Sequence, residues 1–493
     1  MLNSFLKSRI IEGKRLVNEL SKAYDYVSVL GNYVKTKRIL VTTSTSSIND
    51  LDNECGFVIK VYKDGHYSEY SCDDIKGLKA STVLKALKIE SPYLANIPML
   101  KEEKHEESFL REDEKVISDK EIFDRLTAIK DYLHKKDEKI INVATAFVKR
   151  ETSKVFISNN KCLDQKYDWC NTMMQVVTRE NENIKSYYSG GCGVNSLDAL
   201  DELDSIKDNC ADVALKLLHA ESIKPGKYEI ITDPSISGLI AHEAFGHGVE
   251  MDMFVKNRAK AKNFVGKRVA SDLVNMYDGA SACLSAASYF FDDDGVEASS
   301  TNIIKNGILQ TGISDSLSAL ELGTVPTGNG RRESYKRKVY TRMTNTFFKE
   351  GDSKLEDMIK SVKHGYYLCQ TNNGMEDPKN WQIQCTACYG LEIKDGKFTG
   401  KMVAPVVISG YVVDLLSSIS MVSDTCKVIG SGMCGKGHKE WVFVSDGGPY
   451  LKAEAKLSWW NLKILIKYLK LTKRLATMRL FLLKKNLPNY SLS

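Results

Sequence analysis

The sequence predicts an α+β fold: N-terminal α/β regions with helices on antiparallel sheets, followed by a β-rich C-terminal domain carrying one distorted helix. Three observations predict it. Apolar residues recur at helical spacing in two separated stretches, one at the start and one at DKEIFDRLTAIKDYLHKK. Between and after these stretches, apolar and polar residues alternate as in half-buried strands. From Gly226 onward, short strand-like runs are broken by Asp294-Gly295, Asn306-Gly307, Asp395-Gly396 and Gly447-Gly448.

The elements follow in chain order. Leu2, Phe5, Ile10, Leu16 and Leu20 place an amphipathic helix up to about Tyr24, and the opening has no apolar signal core. RILVTTST, GFVIKVY and HYSEYSC read as strands, the last two joined by a hairpin turn at Asp64-Gly65. These make a first domain over residues 1–98. The charged run Lys101–Lys115 reads as a linker or a solvated helix. A central α+β domain follows over 118–225: a helix, four alternating strands, and a second helix near Asp198–His219. The third domain, 226–455, opens with the strand YEIITDP and passes at once into ISGLIAHEAFGHGVEMDMF. Residues 456–493 form a basic apolar tail.

Composition narrows the function classes. Hydrophobic content of 43% and charged content of 27% are those of a folded globular protein, which excludes a disordered or collagen-like chain. The net charge is +6, yet the tail from Lys456 holds nine Lys or Arg and no acid, so the body is slightly negative and offers nothing to nucleic acid. No stretch has the roughly 18 uncharged apolar residues of a membrane span. Twelve cysteines without framework spacing fit a reducing cytoplasm.

The chemistry concentrates in His242-Glu243-Ala244-Phe245-Gly246-His247. Two neutral imidazoles bind Zn²⁺ without cancelling its charge, and an adjacent carboxylate can take a proton from the acidified water. On a regular helix, residues five apart diverge by roughly 140°. Both imidazoles can serve one ion only if the helix widens, so the spacing predicts a π-bulge near Gly246. The competing reading is a pair of histidines packed beneath a β layer. A His-Glu pair in a buried, Gly-punctuated helix is costly without a task.

LIAHEAFGHGVEMD resembles the signature of the TldD/PmbA metallopeptidases, specifically the TldD branch. ELGTVPTGNGRRESY (Glu321–Tyr335), TRMTNTFFKEGD (Thr341–Asp352), the DDDGV turn (Asp292–Val296) and GSGMCGKG (Gly430–Gly437) resemble family blocks in family order, over about Tyr228–Leu451. The resemblance implies that Cys434 completes a His-His-Cys zinc site, one ion per catalytic subunit. A glycine-rich turn with Lys436 nearby also suits a thiolate. The resemblance further implies a zinc-dependent peptidase with Glu243 as general base, acting on short or unfolded peptides held extended at a sheet edge. It implies a dimer too, with a PmbA-like subunit or a second copy. Two other functions stay open: a peptide-presenting subunit with little turnover, and a zinc amidase on a non-peptide substrate.

Other residues are weighed against plainer roles. Glu250 is expected to orient a histidine rather than bind metal, and His438 reads as a surface residue. Arg331 and Arg332, after Gly328-Asn329-Gly330, are candidates for binding a substrate carboxylate, or are solvated in a turn. Asp292, Asp293 and Asp294 lack calcium-loop spacing and read as a strand-ending turn. Cys385 and Cys388, three apart in a strand, should face opposite sides. The tail departs from the family's strand and glycine-rich close. It reads as an added helix, a membrane-surface helix or the product of a shifted frame; its polar residues surround the helix, which disfavours the membrane.

Overall fold

The computed structural model describes residues 2–87, 96–437 and 439–459. Two sheets dominate it. In the nine-stranded first sheet, the main path runs His66–Cys72, Glu54–Lys63, Tyr26–Thr42, Ile140–Ser158, Lys161–Glu180 and His105–Arg111. The strand Tyr26–Thr42 pairs antiparallel with Ile140–Ser158 from Ser28↔Ser158 to Thr42↔Ala144. One sheet therefore spans the boundary drawn near residue 98. The Asp64-Gly65 turn joins its strands as expected, with both residues at positive φ, 48° and 82°.

Odd-numbered residues of Tyr26–Thr42 point to one face, and two groups of helices cover it. Val27 and Val29 lie in a core with Leu16, Val17 and Leu20 of the helix Ile10–Leu20. Ile39 and Val41 lie in a second core with Ile122, Leu126, Ile129 and Leu133. Those four share one side of the helix Asp119–Lys135, which starts where Ser118 Oγ accepts from Glu121 N–H at 3.2 Å.

The charged run is neither linker nor solvated helix. His105–Arg111 is an edge strand, parallel to Lys161–Tyr167. Glu106 and Glu107 are exposed on it, as edge strands often require, while Arg111 turns inward to donate to Ser288 O at 2.6 Å.

The second sheet holds eleven strands and closes on itself. Gly226–Thr232, His364–Asp377, Gln382–Lys394, Val406–Tyr411 and Lys439–Ser458 pair in succession, and Lys439–Ser458 pairs back onto Gly226–Thr232. The five make a ring. The closing strand continues through Lys456–Ser458, so three residues assigned to the tail belong to the sheet. The readings of the tail beyond Trp459 lie outside the described residues, as does His438.

The acidic turn ties the two sheets together. Asp292, Asp293 and Asp294 are buried, and Gly295 takes φ 72°. Lys60 of the first sheet pairs with Asp294, and Lys154 with Asp293. Gln165 donates to Phe291 O and accepts from Phe290 N–H, both at 2.8 Å. Among the described residues no helix is long and apolar enough to cross a membrane, and all twelve cysteines are unpaired.

Candidate metal centre

The strand Gly226–Thr232 hands over to a helix at Asp233. Its Oδ1 accepts from Ile236 N–H at 2.8 Å and its Oδ2 from Gln370 N–H at 2.8 Å. The cap thus fixes the helix to the neighbouring strand, and Pro234 occupies the first turn. Every residue from Ser235 to Gly246 is buried. A side chain at Gly238 would strike the Gly447 backbone, so glycine allows the helix to lie directly on the closing strand.

After Ala241 the helix widens into a π turn over His242–Gly246. This is the widening that five-residue spacing demands. The imidazoles meet edge to face, centroids 5.1 Å apart. Gly246 packs on Met343 Sδ, where a Cβ would collide.

Cys434 arrives from the strand Met421–Lys436, opposite Val442. It sits in a strand rather than a turn. Its Sγ lies 3.3 Å from His247 Nε2, and one donor atom from each of His242, His247 and Cys434 falls within 4.8 Å of the others. Burial pushes the Cys434 thiol up, but His242 and His247 outweigh it and hold the group at about 4. Lys436 is held elsewhere. Its Nζ donates to Glu250 Oε2 at 3.0 Å, Asp252 Oδ1 at 2.8 Å and Thr341 O at 3.1 Å.

Glu250 stands behind His247, Oε2 3.5 Å from Nδ1, and outside the converging set. Burial pushes its carboxyl up, yet Lys436, His247 and Arg342 hold it well below the usual range. Arg342, fully buried, donates to Cys434 O at 2.8 Å and to Glu440 O. It thereby fixes the backbone that presents the thiolate.

The donor set fits zinc. Two imidazoles and a thiolate are borderline-soft ligands, and a 3.3 Å donor separation suits ligand bonds of about 2.0–2.3 Å. His242 Nδ1 is buried without a hydrogen-bond partner among the described residues, and a buried ring nitrogen needs an acceptor or an ion. Three protein donors leave a fourth position open, the pattern of catalytic rather than structural sites. Glu243, also buried, makes no hydrogen bond among the described residues, so its carboxylate is available.

Residues 225–456 match the profile of the PmbA/TldA metallopeptidase C-terminal domain. The chain is 31% identical over 337 residues to a metalloprotease of Methanocaldococcus jannaschii, covering 66% of this chain and 72% of that one. It belongs to the TldD/PmbA family of metalloproteases. A zinc metalloprotease TldD homolog of Saccharolobus solfataricus is 31% identical over 255 residues, 51% of this chain and 56% of its own. TldE of Thermococcus kodakarensis shares the fold, with TM-score 0.71 and 18% identity over 91% of this chain and all of its own.

In this TldD/PmbA metalloprotease the remaining candidates separate. Arg332 is bound to Glu69 at 3.0 Å and to Arg337 O, with its side chain 4% exposed. Arg331 has no carboxylate partner among the described residues; it donates to Met343 O at 2.6 Å and lies over Tyr289. Cys385 and Cys388 do face opposite cores. One group escaped the sequence reading. Glu376, on His364–Asp377, lies against Gly248, and both its carboxylate oxygens are buried without a hydrogen-bond partner among the described residues. Burial pushes it well above the usual range. The alternation Gly374, Glu376 on one strand face was a signal, readable only once that face was known to meet the π turn.

Proposed function

We propose that this metalloprotease hydrolyses short or unfolded peptides, with zinc held by His242, His247 and Cys434 and Glu243 acting as general base. The observation that carries the reading is the convergence of three donor atoms within 4.8 Å beside an unpartnered carboxylate on the same π turn. When bound, zinc supplies Lewis acidity, polarising a carbonyl and acidifying a coordinated water. Glu243 takes the proton from the attacking water and later delivers it to the leaving amine. Glu250 holds the His247 ring in place through Nδ1, and Lys436 and Arg342 in turn hold Glu250.

An extended substrate is favoured by the strand His364–Asp377. Its outer side pairs with Gly226–Thr232 only as far as Leu368, and beyond that no strand covers it among the described residues. Asn372, Asn373 and Met375 are exposed there, while Gly374 lies against Glu243. A peptide added at this edge gains backbone hydrogen bonds with little side-chain preference. We further propose a dimer, with a PmbA-like subunit or a second copy.

Metal content by elemental analysis, for wild type and Cys434→Ala, tests the site. Cleavage of a mixed peptide library by wild type and Glu243→Gln tests the reaction. Near-stoichiometric zinc lost in Cys434→Ala, and cleavage lost in Glu243→Gln, are expected. Zinc without turnover would instead indicate a peptide-presenting subunit. Hydrolysis confined to non-peptide amides would indicate an amidase.

A further inference from the structure

A cavity of about 290 Å³ lies between the first sheet and the hairpin of Met421–Lys436 with Lys439–Ser458. It is separate from the metal centre. Met433 lines it, and the next residue, Cys434, turns to the other side of the strand. One layer of backbone divides the two.

Two cations of the cavity wall lack a contact anion. The Arg150 guanidinium stacks 4.5 Å from the Phe443 ring; Glu54 acts on it through space, but among the described residues it has neither a side-chain hydrogen bond nor a carboxylate at ion-pair distance. Arg331 projects into the same space with one backbone carbonyl as its sole hydrogen-bond partner among those residues. The other two cations in the wall are satisfied, Lys154 by Asp293 and Arg332 by Glu69. Of the acids that remain, Glu54 accepts from Asn32 Nδ2 at 3.2 Å and its charge acts on Arg150 and Lys154 from beyond contact, and Glu333 faces Arg337 at 3.9 Å. Neither the Arg150 nor the Arg331 fork is engaged by a carboxylate at contact distance among the described residues, so both keep donors free for one.

The walls specify the rest of the ligand. Tyr289 and Phe443 lie beneath the two guanidinium groups, and Trp441 adds a half-exposed aromatic face. Of the three, Trp441 carries no cation among the described residues, and an anion alone would leave its face unused. The volume admits a small ligand with one anionic end and one apolar side chain.

We propose that this cavity binds the free carboxylate end of a short peptide with an apolar last residue. The guanidinium groups of Arg150 and Arg331 take the carboxylate, and the Trp441 face takes the side chain. The choice of a peptide as the source of the carboxylate rests on the peptidase reading; the anion site itself does not. Because backbone separates the cavity from the zinc ligands, the bound end belongs to a product or effector rather than to the bond being cut.

Calorimetry on zinc-loaded, full-length Glu243→Gln protein tests this with N-acetyl-phenylalanine and its amide. The acid should bind at least about tenfold tighter than the amide, since charge-assisted bonds to a bidentate fork are lost in the amide. Arg150→Met should remove that preference and Arg150→Lys should restore part of it. Equal affinities for acid and amide, no binding of the acid, or an unchanged preference in Arg150→Met would overturn the proposal. So would tighter binding of inorganic phosphate than of the acid, or loss of acid binding when zinc is stripped, which would place the ligand on the metal. Library cleavage is scored separately. If the acid binds as expected and no peptide is cut, the peptidase reading fails and the carboxylate site stands. The acid–amide comparison needs no cavity variant, so misfolding of Arg150→Met does not shield the proposal.

Discussion

Gly374 lies so close to Glu243 that a Cβ on it would stand 2.7 Å from Glu243 Cγ. The glycine leaves the carboxylate its place beside the zinc ligands. Gly374→Ala should displace Glu243 without touching His242, His247 or Cys434. Misplacing a reacting group by about 1 Å can cost on the order of 100-fold in rate. We expect kcat to fall by about that factor while zinc content, read by elemental analysis, stays at the wild-type value. Full activity would show that Glu243 does not depend on this contact.

The Cys434 thiol is held at about 4, against the ordinary value of about 8.5. It is therefore ionised throughout the neutral range. Alkylation of Cys434 in zinc-stripped protein should proceed at a nearly constant rate from pH 6 to pH 8, and zinc should block it. Cys170, Cys283 and Cys388, pushed up to about 12 by burial, should stay unmodified. Peptide mapping after brief iodoacetamide treatment reads both. A rate that climbs tenfold per pH unit would mean an ordinary thiol.

Glu376 gives a pH dependence of the opposite sign. Its folded pKa is raised well above the ordinary value, so the folded state binds a proton that the unfolded chain releases. Its contribution is favourable below about pH 4.3 and declines as pH rises. Glu376→Gln removes that decline. The melting temperature of the variant, relative to wild type, should therefore be higher at pH 8 than at pH 5. A difference that does not change with pH would contradict the burial of this carboxyl.

Lys60 and Asp294 join the two sheets with side chains 11% and 1% exposed. Removing one partner leaves a buried charge, which typically costs about 3–5 kcal/mol. Lys60→Met should destabilise by that order in urea unfolding. Adding Asp294→Asn should recover much of the loss, because the stranded charge is gone. Additive losses would show that the two groups act independently.

The parts of this structure written in local sequence were legible. Asp64-Gly65 announced the hairpin, and the five-residue spacing of His242 and His247 the π turn; Asp233-Pro234, read as the end of the strand YEIITDP, instead caps and opens the helix. The parts decided by distant partners were not. His105–Arg111 carries too much charge to look like a strand, since an edge strand buries little. Sharing of one sheet across residue 98 depends on Tyr26–Thr42 pairing with residues more than a hundred positions away. Lys436 read as a partner for the thiolate because it is two residues away; the chain instead points it at Glu250 and Asp252. Glu376 gave no motif at all, because its meaning comes from the residues it meets across the fold.

Closure of the five-strand ring also orders events during protein synthesis. Gly226–Thr232 leaves the ribosome with His242 and His247 close behind, but its partner across the ring pairs at Tyr228↔Ala455. At roughly 5–20 residues per second, that partner follows roughly 10–45 s later. Until then the histidines have no enclosing wall and no Cys434. The growing chain thus carries His242 and His247 as unfinished scaffold: the strand that brings Cys434, Met421–Lys436, and the strand that closes the ring, Lys439–Ser458, are both made long after them.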